Sequence, residues 1–483
     1  MKKRFAAQAS PSVKEKKEPT LAFSLLVILA LCLFVALGVG PLKLNIALLL
    51  FLAWLVVAPF AAYLGYSFGE LESFAYDMAK AALPPAAIIM SVGIMIATWL
   101  AAGTVPTVLV AGLSIITPKL LLLITFVLCA AVSMLMGTSW GTIGTAGVAM
   151  LGVGTGLGMN PAIVAGAIIS GAYFGDKMSP MSDSTNICAT VTNTPLITHI
   201  KYMFISGGPA FLISAALYTG IGIAQGGNNY DSSQVESIIA NLHAMFKIDL
   251  IPILPIAVVL IMLALKKSTV LSLLMGALSA AVIAVVYQGI PVAALGGYMM
   301  DGFSVDSEDA IMRSLLNRGG MKGMLSLVAT FIGALGLGGI LNKVGLIQPL
   351  LDALTRRVKS GKGLIVITMV ITWIAVTVIA TNNFAFAMIG TLFPSIFAKY
   401  NLKSENLSRA LEDCGTLGNV LVPWSVGAGF ATGTLGVSAF EYAPWAFQNY
   451  ITPLVTLVLV FCNYKIAKID PNKGLELQAD AED

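Results

Sequence analysis

Two carboxylates and an ammonium group, Asp176, Lys177 and Asp183, sit inside one stretch, GAYFGDKMSPMSDSTN (171–186), where a long apolar run ends. Ser179, Ser182, Ser184, Thr185 and Asn186 add side-chain oxygens, and Gly175 and Pro180 interrupt any regular helix. A charged side chain at bilayer depth costs roughly 2.5–3.5 kcal/mol on insertion scales. Irregular backbone persists there only when it is enclosed by protein or lines a cavity. The stretch is therefore either a loop outside the membrane or a working site within it. Hydroxyl, amide and carboxylate oxygens are hard ligands suited to a hard cation such as sodium, and a carboxylate also accepts a proton. Asp176 and Asp183 are the expected sodium and proton ligands, supported by Ser179, Ser182 and Asn186. Lys177 is a candidate counter-charge for the empty site.

Two further polar interruptions carry Thr138 and Ser139 (GTSWGT, 137–142) and Asn382 and Asn383 (TNN, 381–383), and a third acidic point is Glu412–Asp413. Small polar residues also serve plain helix packing in membranes, and Glu412 and Asp413 could cap a helix at the interface. A repeat favours the functional reading. Pro106 and Pro349, Thr138 and Thr381, Gly175 and Gly418, Pro180 and Pro423, and Ser182 and Ser425 are each 243 positions apart, as in 418 − 175. Breaks at corresponding points of two structural repeats are the best sequence pointer to a transporter's binding site. Half-helix N-termini there attract anions, while unwound carbonyls attract cations. Thr138, Ser139, Asn382 and Asn383 are accordingly expected to line the same cavity as Asp176, with Glu412 and Asp413 as secondary candidates.

These residues need a membrane scaffold to hold them. Of 483 residues, 57% are hydrophobic and 11% charged, with mean hydropathy +0.88, whereas a soluble domain carries about 25% charged residues. The chain reads as an all-α polytopic membrane protein. The apolar run from Leu21 is too long for a signal-peptide core and lacks a cleavage site. Spans are expected at 21–40, 44–66, 84–102, 205–224, 250–265, 270–288, 324–341 and 442–462, with broken segments at 160–186 and 407–436. Residues 67–82 suit a helix in the interface. If 118–154 and 364–398 are re-entrant hairpins, each half crosses an odd number of times and the second half is inverted. Lys2, Lys3, Arg4, Lys14, Lys16 and Lys17, then Lys80, Lys201, Lys266–Lys267, residues 356–362 and Lys465/Lys468 then fall on the cytoplasmic side. The exceptions are Lys119 and the mixed-charge segment 301–322. The expected architecture is two inverted-topology repeats of about ten transmembrane helices plus two re-entrant hairpins, with broken helices. Its divisions are a cytoplasmic tail (1–20), a first repeat (21–225), an external loop (226–248), a second repeat (249–463) and a cytoplasmic tail (464–483).

Other chemistry finds little support. Cys32, Cys129, Cys188, Cys414 and Cys462 are scattered, without metal-site or disulfide spacing. The only histidines, His199 and His243, are far apart in sequence, which argues against a zinc site or a histidine-based triad. GVGTGLG (152–158) does not fit a nucleotide-binding loop. No nucleophile–base constellation marks an enzyme. No cofactor and no nucleic-acid partner are expected, and the lipid bilayer is the surrounding phase.

At these residues the sequence resembles the NhaC-type sodium/proton antiporters of the ion-transporter superfamily. The matching segments are ATWLAAGTVP (97–106), GTSWGTIGTAGVA (137–149), SGAYFGDKMSPMSDSTN (170–186), SRALEDCGT (408–416), VPW (422–424) and GTLGV (433–437). The resemblance spans about 84–202 and 318–453. It implies a secondary active transporter that exchanges cytoplasmic sodium, or lithium, for external protons in a bacterial or archaeal inner membrane. For the superfamily it implies a homodimer with a moving transport domain. Relatives in this family also exchange organic acids, malate against lactate. The implied alternative is thus a sodium- or proton-coupled exchanger of a small organic anion or amino acid, with Asn382, Asn383 and helix N-termini holding a carboxylate. One departure is the tip after Thr381, where the family often carries an acidic-polar patch. This chain has NNFA (382–385), without a carboxylate.

Overall fold

The computed structural model describes residues 16–225, 232–356 and 358–469. Residues 1–15 and 470–483 of the expected tails, 226–231 of the expected external loop and Arg357 of the basic segment lie outside the described residues. The first half contains α1 (Leu21–Val39), α2 (Ile46–Tyr63), α3 (Phe68–Ala79), α4 (Leu83–Ala101), α5 (Thr104–Ile115), α6 (Pro118–Met136), α7 (Ser139–Thr142), α8 (Val148–Gly156), α9 (Pro161–Met178), α10 (Asp183–Val191) and α11 (Leu196–Gln225). A connecting helix follows, α12 (Ser232–Met245). The second half contains α13 (Leu254–Ala264), α14 (Thr269–Val286), α15 (Val292–Asp301), α16 (Ala310–Leu316), α17 (Leu325–Lys343), α18 (Gln348–Thr355), α19 (Gly361–Ile379), α20 (Asn382–Leu392), α21 (Pro394–Lys399), α22 (Ser404–Asn419), α23 (Val426–Leu435), α24 (Ala439–Tyr442) and α25 (Phe447–Phe461). The protein is an all-α polytopic membrane protein.

Among the described residues, eight helical segments are long and apolar enough to cross a membrane, or nine if the bent pair Ala439–Trp445 and Phe447–Phe461 is one span. The sequence suggested about ten besides two hairpins, whereas two of these eight, Pro118–Met136 and Gly361–Ile379, are the first arms of the expected hairpins. Among the expected spans that fall short, the Ile251–Ala264 helix is short, α9 carries Asp176 and Lys177, and α22 carries Arg409, Glu412 and Asp413. Residues expected at an interfacial helix form α3, which starts on a Ser67/Glu70 capping box and runs through one 3₁₀ turn into α4. Pro84 and Pro85 fall in the first turn of α4, where N–H groups have no acceptor within the same helix, so α4 starts afresh after the 3₁₀ turn. The expected loop at 226–248 is helical from Ser232. Val235, Ile238 and Leu242 bury one face of α12, which packs against α5. The first arms of the expected hairpins, α6 and α19, are 19 residues each, about 28 Å long at 1.5 Å per residue.

Helix starts repeat along the chain. α6 and α19, α7 and α20, α9 and α22, α10 and α23, and α11 and α24 begin 243 residues apart, as in 404 − 161. So do the left-handed residues Gly137 and Ala380, Gly158 and Asn401, and Asn193 and Gly436. At Ala380 the left-handed backbone (φ 63°) costs roughly 1–2 kcal/mol for a residue with a Cβ. The Ala380 carbonyl there accepts the Val426 N–H at 3.0 Å, tying this corner to the start of α23. Helix pairing also follows the repeat: α6 packs on α9 as α19 packs on α22, and α14 covers α4 as α2 covers α17.

Candidate ion-binding site

α9 is positioned by unusually close packing on α6. A Cβ at Gly171 or Gly175 would lie 2.3 Å from the Phe126 carbonyl oxygen or 2.2 Å from that of Ala130, so only glycine permits this approach. Ser133 donates to the Ala172 carbonyl across the same seam at 2.6 Å. The helix starts at Asn160, whose side chain accepts from Ala162 N, with Pro161 in its first turn. It ends at Met178, before Pro180. Ser182 then caps α10 by accepting from Thr185 N. The second half repeats this construction: α22 ends at Asn419, Pro423 follows, and Ser425 caps α23 by accepting from Ala428 N.

The first break, the helix corners after α6 and α19, the last turn of α22 and the starts of α4 and α14 line an open cavity of about 250 Å³. Thr138, Ser139, Asp176, Ser182, Asn382 and Asn383 line it, together with Tyr173, Ser184, Thr416 and Asn419. Asp176 is 8% exposed, and the hydroxyls of Ser139 and Ser182 face its carboxyl group. Each half reaches across to the other: α10 packs on α20, and Trp140 stacks on Phe430 of α23 with ring centroids 4.5 Å apart.

The expected site residues separate into distinct places. Asp183 is exposed at the first turn of α10. It belongs to the cavity lining and also to an adjoining vestibule of about 650 Å³ that contains Asn186, Lys266 and Lys267. Asn186 donates to the Pro180 and Ser182 carbonyls at 2.9 and 2.7 Å, bracing the turn. Ser179 is buried, and its hydroxyl accepts from Met181 N at 3.3 Å. Lys177 is fully buried and pairs with Asp413 of α22, whose other oxygen accepts from Thr456. This differs from the expected counter-charge for Asp176. Adjacent residues on a helix point about 100° apart, so Lys177 turns away from Asp176 toward the second half. Glu412 is buried behind the cavity wall and accepts from Ser184 at 3.1 Å and Thr416 at 2.8 Å.

Tyr173, Thr416 and Asn419 of the lining carry no signal of their own in the sequence. The repeat held the signal for Asn419, because 176 + 243 is 419. Nothing in the sequence marks the buried polar cluster behind Glu412. His199 Nδ1 lies 2.9 Å from Ser408 Oγ. An imidazole nitrogen of His199, Cys188 Sγ and a Glu412 carboxylate oxygen lie within 4.8 Å of one another. Arg409 of α22 is also buried, with its guanidinium 5.5 Å from the Tyr202 ring centroid. Cys188, His199 and Glu412 come from α10, α11 and α22, and helix packing brings them together. All five cysteines are free; Cys129, Cys188 and Cys414 are buried, while Cys32 and Cys462 are exposed.

A helical membrane protein whose halves each break a helix beside one shared polar cavity has the architecture of a secondary transporter. Residues 171–464 match the model of the Na+/H+ antiporter family, and the chain belongs to that family, a family of transporters. The malate-2H+/Na+-lactate antiporter of Bacillus subtilis is 36% identical over 446 residues, covering 91% of this chain and 94% of its own. The Na+/H+ antiporter NhaC of Alkalihalophilus pseudofirmus is 34% identical over 455 residues, 94% of this chain and 98% of its own. The arginine/ornithine antiporter ArcD of Halobacterium salinarum is 30% identical over 480 residues, 99% of each chain. The protein is a multi-pass protein of the inner membrane.

Proposed function

We propose that the chain exchanges cytoplasmic sodium, or lithium, for external protons, with Asp176 as the shared ligand and no cofactor. The observation that carries this reading is the pairing of Lys177 with Asp413. It leaves the buried Asp176 facing hydroxyls and amides, without a cation from the protein among its described salt bridges. A carboxylate in such a place needs a partner, and the available ones are the transported ions. Sodium and a proton compete for the same oxygens, and exchange follows if only the occupied carrier changes sides. Ser139 and Ser182 supply further oxygens, and Asp183 at the rim draws cations toward the site. In proteoliposomes containing a pH dye, a sodium gradient should drive proton movement in the wild-type protein. Asp176→Asn should reach the membrane at normal levels and give none. Wild-type rates in Asp176→Asn would place the ion site elsewhere.

A second reading is coupled exchange of a small organic anion or amino acid. It is favoured by the amides of Asn382, Asn383 and Asn419 in the cavity lining, the first two at the start of α20, and by the similarity to a malate/lactate antiporter and an arginine/ornithine antiporter. Ion flux that requires malate, lactate or arginine would select it. Flux with sodium and protons alone would dismiss it.

A further inference from the structure

Asn419 occupies the position in α22 that Asp176 occupies in α9, and both side chains line the same cavity. Asn419 is 6% exposed, and its Oδ1 has no hydrogen-bond partner. A buried acceptor without a donor is costly, so its orientation calls for an explanation.

A directional hydrogen-bond chain supplies one. It begins at Glu412 Oε1, which accepts from Thr416 Oγ1 at 2.8 Å whether or not Glu412 carries a proton on its other oxygen. With its proton directed at Glu412, Thr416 Oγ1 accepts from Asn382 Nδ2 at 3.5 Å. Asn382 Oδ1 then accepts from Asn419 Nδ2 at 3.4 Å. Each link fixes the next amide, the kind of network by which amide orientations are assigned. The last one leaves Asn419 with its carbonyl oxygen free.

We infer that Asn419 Oδ1 is a cation ligand, the second-half counterpart of Asp176, aimed by the donor chain from Glu412. The ion then sits between equivalent positions of the two halves, held by a charged oxygen from one and a neutral oxygen from the other. A neutral amide oxygen is a hard ligand that adds affinity for sodium without adding a proton-binding group. The site therefore gains an oxygen without gaining a further carboxyl on which the two ions would compete. This inference rests on the proposed sodium/proton exchange. The alternative is an acceptor left unpaired by packing alone, which would give no dependence of sodium affinity on residue 419.

The test is sodium-driven proton movement in proteoliposomes for wild type, Asn419→Ala, Asn419→Leu and Asn419→Asp. Removing the oxygen in Asn419→Ala and Asn419→Leu should raise the sodium KM about tenfold, the scale of one lost charge-assisted contact, with maximal rate within about twofold. Asn419→Asp keeps an oxygen and should hold KM at or below the wild-type value. Wild-type KM in Asn419→Ala overturns the assignment, as does a tenfold rise in Asn419→Asp. If the two oxygen-deleting variants do not fold, sodium titration of Asn419→Asp by calorimetry in detergent decides: weaker binding than wild type overturns the inference. Absence of sodium-driven proton movement in the wild-type protein is a separate result, and it overturns the functional reading on which the inference stands.

Discussion

The α9–α10 break and the α22–α23 break share a backbone plan and differ in charge. Both leave a helix within two residues of corresponding positions, pass a proline, and restart on a serine that caps the next helix. The first break carries Asp176, Lys177 and Asp183; the matching positions of the second are Asn419, Val420 and Val426. The second half supplies Asp413, where the first has Ser170. The backbone is thus duplicated while the electrostatics are divided. One half presents a carboxylate to the cavity, and the other neutralises the lysine beside it. A fully symmetric pair of acidic breaks would add further like charges to a cavity that Asp176 and Asp183 already line, raising the electrostatic cost of leaving it without cations.

Breaking the division should have the largest effect. Lys177→Met leaves Asp413 buried and unpaired, and the expected loss is about 3–5 kcal/mol, read as a lower thermal unfolding temperature in detergent. Adding Asp413→Leu should recover most of it, because a buried pair replaced by apolar groups is often near neutral. No recovery would mean that the pair does more than neutralise.

Making the breaks alike at the cavity comes next. Asp176→Asn matches Asn419 and should reduce sodium-driven proton movement at least ~100-fold, equivalent to about 2.7 kcal/mol of barrier, without lowering the unfolding temperature. The caps sharpen the contrast further. Ser182→Ala and Ser425→Ala should each lose about 1 kcal/mol of stability, but only Ser182→Ala should also raise the sodium KM, because Ser182 faces Asp176. Equal KM values for the two would remove Ser182 from the ion's surroundings.

Asp183→Asn should change little. The side chain is exposed, so a sodium KM about threefold higher at low salt, fading at high salt, is the expected scale for a screened charge. Single cysteines replacing Glu236 in α12 and Ser360 before α19 should leave transport unchanged and report sidedness alone. On the proposed inverted arrangement, an impermeant reagent added outside labels the first and not the second. The reverse pattern would invert the assignment of the two faces.

By itself the sequence determined the membrane class, through apolar runs that no soluble fold could expose. It also determined where helices stop, because Gly137, Pro180, Pro423 and the capping serines act through their own backbone chemistry. The offset of 243 was legible for the same reason: breaks are local, and local signals survive in a repeat. The partners of the charges were not local. Sequence adjacency placed Lys177 beside Asp176, yet the 100° turn between neighbouring helix positions and the packing of α9 near α22 gave it to Asp413. The exposure of Asp183, the burial of one face of α12, and the meeting of Cys188, His199 and Glu412 from three helices likewise arise from tertiary packing, since each depends on which helix faces touch. Tertiary structure also decided that Asn419, an unremarkable amide in sequence, shares a cavity with Asp176 and keeps a buried carbonyl oxygen without a hydrogen-bond partner.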